Sequence, residues 1–72
     1  MNKKHDNLYY INLIKQILNE QGLSQQKFAD IIKVNQTTVS QWLLGNKKPG
    51  YDSILSICKN FNVTPNEFFG FE

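Results

Sequence analysis

Gln36, Thr37, Ser40 and Gln41 gather two carboxamides and two hydroxyls within six residues. Such groups donate and accept hydrogen bonds without changing charge near neutral pH. Their chemistry is recognition of another polar surface rather than proton transfer. The base edges in the major groove of duplex DNA are a surface of that kind. A glutamine bonds adenine through two atoms, and a threonine methyl meets the methyl of thymine. Nothing else in the chain competes with this chemistry. No carboxylate pair stands out for acid–base work, no nucleophile has a plausible base, and no glycine-rich phosphate loop occurs. The single cysteine, Cys58, and the single histidine, His5, lie far apart, so neither a disulfide framework nor a zinc-ligand cluster is offered. Cys58 falls on the apolar face of a candidate helix, where a thiol packs as a small apolar group. No enzyme activity, catalytic residue, metal or cofactor is expected.

The elements that must hold these side chains lie between Ser24 and Leu44. Ser24 has the type and position of a helix N-cap, its hydroxyl accepting from a first-turn amide, and Asn35 repeats the signal eleven residues later. An apolar pair brackets each cap, Leu23 with Phe28 and Val34 with Val39, at the hydrophobic-staple spacing that sets how the chain enters a helix. Only Lys33 and Val34 remain to turn between the helices, which predicts a helix-turn-helix. The first of the pair, over about Gln25 to Ile32, turns Phe28, Ala29, Ile31 and Ile32 to a core, with Ala29 small enough for a close helix approach. The second, over about Gln36 to Leu44, puts Val39, Trp42 and Leu43 inside. Thr37, Ser40, Gln41 and Leu44 share its outer face at i, i+3, i+4 and i+7. Backbone grips on DNA are expected on both flanks. Ser24 and Gln25 sit at a helix N-terminus, where amides hold phosphate, and Asn46, Lys47 and Lys48 follow the outer helix.

Around this pair the chain reads as bracing. Residues 1–7 are polar and expected to be a flexible N-terminal segment, with 8–72 forming a single domain. A helix is predicted from Leu8 to about Gln21, with Tyr10, Leu13, Ile14, Ile17 and Leu18 at helical spacings, stopped by Gly22. Gly45 ends the outer-faced helix, and Asn46 to Gly50 is a polar loop. A further helix over about Tyr51 to Asn60 buries Ile54, Leu55, Ile57, Cys58 and then Phe61, with Asn62 closing it in the left-handed conformation. Val63, Thr64, Pro65, Glu67 and Phe68 then combine staple, cap, proline and capping box for one more helix. The fold class is all-α, about five short helices around one core.

At 72 residues the core is marginal and depends on good helix packing or a partner subunit. The formal charge is +2, and Lys27, Lys33, Lys47 and Lys48 cluster in or just after the paired helices, whereas Asp52, Glu67 and Glu72 come later. All eight basic residues are lysines, which removes the arginine fork that reads guanine and points the glutamine–threonine set to A·T-rich positions. Neither a signal peptide nor a bilayer-spanning run is seen, and a reduced, cytoplasmic setting is expected.

The ordered set Gly22-Leu23-Ser24-Gln25, Phe28-Ala29, Val34-Asn35, Val39-Ser40-Gln41-Trp42 and Gly45-Asn46-Lys47-Lys48-Pro49 resembles the Cro/cI-type, or XRE-like, helix-turn-helix repressors. Ile54 to Lys59 and Val63 to Phe69 continue the likeness over nearly the whole chain. The resemblance implies a compact five-helix, lambda-repressor-like domain whose third helix enters the major groove, often as a homodimer on a palindromic operator. Carried over by position, it implies base contacts by Gln36, Thr37 and Gln41, with Thr38 and Ser40 as secondary contacts to backbone or base. Ser24, Gln25, Asn46 and Lys48 take phosphate roles. There are three departures from the family pattern. Lys33 occupies a turn position usually given to glycine. Leu18 and Leu43 stand where relatives often pair an arginine with a glutamate, an ion pair replaced by an apolar contact. Leu44 stands where a polar or basic residue is common.

The leading expectation is therefore a sequence-specific, double-stranded-DNA-binding transcriptional regulator, a repressor acting as a homodimer, with neither a membrane nor a small-molecule ligand as partner. The alternative is a protein-interaction module, antitoxin-like or an anti-repressor subunit, whose docking patch would draw on Phe68, Phe69 and Phe71 with Tyr9 or Leu44.

Overall fold

The computed structural model describes residues 2–66. Among them run four helices: α1 (Asn2–Gln21), α2 (Gln25–Ile32), α3 (Gln36–Leu43) and α4 (Tyr51–Phe61). α2 packs on both α3 and α4, and α1 packs on α3. The five helices expected from sequence are thus four among the described residues. The fifth would begin at Pro65; Pro65 and Asn66 have helical backbone, and Glu67 onward lies outside the described residues. α1 starts at Asn2 rather than near Leu8. Residues 2–7 contain neither glycine nor proline, and a helix already nucleated extends at one hydrogen bond per residue fixed.

The core consists of Tyr10, Ile14 and Ile17 from α1, Phe28, Ala29 and Ile32 from α2, Val39 and Trp42 from α3, and Ile54 and Ile57 from α4. Within each set residues recur at three or four positions, with Ala29 beside Phe28 widening the stripe on α2, so each helix turns one face inward. Phe28 is fully buried, and its ring stacks on that of Phe61 at 5.3 Å between centroids, tying α2 to the end of α4. Several residues expected inside are less buried, with Ile31, Leu43 and Phe61 half-buried at the core's edge. Leu55 is 41% exposed, because one residue past Ile54 is about 100° further round the helix, off the stripe that Ile54 and Ile57 define. Cys58 is half-buried and packs at the core's edge.

The helix ends follow the chemistry of their caps. After α1 the Leu23 amide donates to the Leu18 carbonyl (2.9 Å) and the Gly22 amide to Asn19 (3.3 Å). After α2, Val34 donates to Ala29 (3.0 Å) and Lys33 to Asp30 (3.3 Å). After α3, Asn46 donates to Gln41 and Gly45 to Trp42, both at 3.0 Å. This is the Schellman closure three times over, and it needs a left-handed residue in each case. Glycine supplies it after α1 and α3, but after α2 Lys33 adopts φ 63° and ψ 47°. The tight turn is therefore made in the usual geometry, and a side chain with a Cβ bears a cost of about 1 kcal/mol there. Asn62, at φ 59°, closes α4 with the simpler left-handed cap, its amide donating to the Cys58 carbonyl at 3.1 Å.

The two N-caps differ. Ser24 Oγ accepts from the Lys27 amide at 3.0 Å. Asn35 has the extended cap backbone, and its carbonyl accepts from Thr38 (3.0 Å) and Val39 (3.3 Å), but its side chain makes no cap hydrogen bond. Removing the side chain should separate them. Ser24→Ala should cost about 1 kcal/mol, which for a domain of this size lowers Tm by about 4–8 °C. Asn35→Ala should shift Tm by less than half as much; equal shifts in thermal melts would contradict this difference between the caps.

Leu18 and Leu43 are both half-buried and packed against the core. Leu18→Arg would bring a charge there without its partner, at a cost of about 1 kcal/mol or more. A melting point unchanged by this substitution would count against an apolar role for Leu18 at the core's edge.

Candidate nucleic-acid interface

The N-terminus of α2 is prepared by Ser24. Its oxygen is engaged with the Lys27 amide, which leaves the hydroxyl proton free to donate outward. Gln25, the first residue of α2, is half-buried, and its Oε1 accepts a long bond (3.5 Å) from Nε2 of Gln36, the first residue of α3. The two helix starts are thereby joined by a pair of carboxamides. Gln25 keeps its amide donors, and Gln36 keeps its carbonyl and a second N–H. On α3, Gln36 and Thr37 are exposed, while Thr38, Ser40 and Gln41 are half-buried. Thr38 adjoins the buried Val39 and is turned partly inward.

At the far end of α3, Gln41 Oε1 accepts from Asn46 Nδ2 at 3.0 Å. The Gln41 backbone carbonyl also accepts from the amides of Asn46 (3.0 Å) and Lys47 (3.3 Å). Gln41 retains two N–H donors and one lone pair on Oε1, enough for a two-atom contact to one base edge. Asn46, Lys47 and Lys48 are exposed on the loop, and Pro49, next in line, is buried and anchors its far end. Tyr10, a core residue of α1, donates its hydroxyl to the Lys47 carbonyl at 3.1 Å. Burial pushes its pKa up from the ordinary tyrosine value, which favours the protonated, donating phenol.

The structure thus brings Gln25 to Gln36 and Gln41 to Asn46, with Thr37 and Ser40 on the helix between. Lys47 and Lys48 share the Asn46 loop, and Lys48 has no part in the hydrogen bonds that tie that loop to α3. Three connections were not read from the sequence: the carboxamide pair across the turn, the Gln41–Asn46 bond and the Tyr10 strut. The last had a signal, because a tyrosine on a core stripe must find a partner for its hydroxyl. The charge balance of this stretch of chain favours an anion. Residues 22–50 hold Lys27, Lys33, Lys47 and Lys48 against one acid, Asp30, and neither α2 nor α3 has an acidic residue in its first turn. Leu44 is 68% exposed beside these groups. Of the apolar patch named for protein docking, Tyr9 is 45% exposed, while Phe68, Phe69 and Phe71 lie outside the described residues.

Among the described residues, no helix is long and apolar enough to cross a membrane, and no group of His, Cys, Asp and Glu could hold a metal ion. Comparison with curated proteins and with solved structures found no match to either. A family model described as helix-turn-helix does match, over residues 14–68, well over half of the chain. That span opens at the core of α1 and takes in both capped helices, the lysine loop and all of α4. The chain therefore belongs to the Cro/cI-type, XRE-like helix-turn-helix family, whose members are DNA-binding transcription regulators and typically not enzymes.

Proposed function

We propose that this protein is a sequence-specific repressor that binds a palindromic operator as a homodimer, working in the cytoplasm and blocking polymerase access. The observation that carries the reading is the outer face of α3. Its carboxamides are held from both ends, by Gln25 at the start and by Asn46 at the finish, with donors left over for base edges. Its eight residues span about 12 Å, a length suited to a groove about 12 Å wide. Gln36, Thr37, Ser40 and Gln41 read bases. Ser24, Gln25, Thr38, Asn46, Lys47 and Lys48 hold the backbone on either side, the division of labour between specifying and positioning contacts. The size of the fold leaves room for a dimer. The described Cα positions extend at most 33 Å, a size compatible with two copies side by side on half-sites about 34 Å apart.

The test is selection of binding sites from a random duplex pool, followed by titration of the winner at several salt concentrations. Enrichment of an A·T-containing palindrome, bound two chains per site, is the expected result. Failure to enrich any site, with weak binding that vanishes near physiological salt, would overturn it.

A further inference from the structure

We propose that Tyr10 is a positioning residue for DNA contact: from inside the core its hydroxyl holds the Asn46–Lys48 loop at the height from which that loop grips the duplex backbone. This rests on the DNA reading above. Lys47 is held on two sides, its amide donating to Gln41 at the end of α3 and its carbonyl accepting from Tyr10 on α1. The α3 side belongs to the helix's own closure and would form with many loop sequences. The Tyr10 bond is different, because it references the loop to a second helix, across 37 residues of chain.

The tyrosine is more than packing requires. At 5% exposure its ring fills the stripe continued by Ile14 and Ile17, a place that phenylalanine or leucine would fill as well. Its hydroxyl adds a buried polar group that must be satisfied, and the partner it reaches is the backbone between two exposed residues, Asn46 and Lys48. With Pro49 buried at the far end of the loop, the Lys47 and Lys48 side chains project from a fixed base. A loop ordered before binding loses less freedom on meeting phosphate, so its charges contribute more to affinity.

Tyr10→Phe in the full chain isolates the hydroxyl, since the ring stays in the core and water can serve the carbonyl on an exposed loop. Affinity for the selected operator should fall about three- to tenfold. The slope of log affinity against log salt should drop by about 0.9 for each phosphate that the loop no longer neutralises. Without DNA, exchange of the Lys47 amide hydrogen should accelerate. Ile14→Val serves as control. It loosens the same helix without touching the loop, and below its melting temperature it should keep the wild-type salt slope and Lys47 exchange. A Tyr10→Phe protein equal to wild type in affinity and slope would overturn the proposal. So would one that binds weakly with slope and exchange unchanged, which would mark a merely structural residue. If wild type itself bound no duplex, the DNA reading would fall and the positioning role with it; normal wild-type binding with an indistinguishable variant removes the positioning role alone.

Discussion

Replacing Gln36 and Gln41 together by alanine is expected to weaken binding to the selected operator about thirtyfold or more, while leaving non-specific DNA binding almost unchanged. Each two-atom contact between a glutamine and a base is worth about 1–3 kcal/mol of discrimination. Losing both removes about 2–6 kcal/mol, and every 1.4 kcal/mol is a factor of about ten. The non-specific floor limits how much of that loss can be observed. The variant keeps Ser24, Gln25, Lys47 and Lys48, so the salt dependence of the remaining binding should match that of wild type. Stability should change little. Gln36 is exposed and Gln41 half-buried, their side-chain bonds lie at the surface, and alanine is the better helix former. A double mutant that folds and still protects the palindrome at wild-type concentrations would show that α3 does not read it through these two residues.

The largest effect on stability is expected at Phe28. The ring is fully buried and stacks on Phe61, and truncation of such a residue to alanine costs about 3–5 kcal/mol. A core in a chain of this size rarely supplies more than about 3–5 kcal/mol in total. Phe28→Ala should therefore be largely unfolded at 25 °C, with low helical circular dichroism and no cooperative urea transition. Leu55→Ala, on α4 but 41% exposed, should remain folded with a loss of under about 1 kcal/mol. A Phe28→Ala protein that unfolds cooperatively near the wild-type midpoint would mean that the core is organised around other residues.

Which parts of this molecule could be read from its residues alone follows from the range of the forces involved. Ser24, Gly22 and Asn62 were legible because a cap or a left-handed closure is settled by a residue and its neighbours within four or five positions. The core was legible from periodicity at Ile14, Phe28, Val39 and Ile57, since a helical stripe records which side faces inward. Leu55 falls outside the core although it is apolar, because it lies about 100° round the helix from Ile54, off the stripe that periodicity marks. Asn35 shows the limit at a cap, where residue type announces a hydrogen bond that the side chain does not make.

For the candidate interface, local sequence determined the side chains available, their placement on one outer face of α3 and the lysines that follow it. Tertiary structure alone decided how they are held. The bonds from Gln36 to Gln25 and from Tyr10 to Lys47 join positions 11 and 37 residues apart. A hydrogen bond acts only over about 3 Å, so such pairs become partners only after the helices have packed.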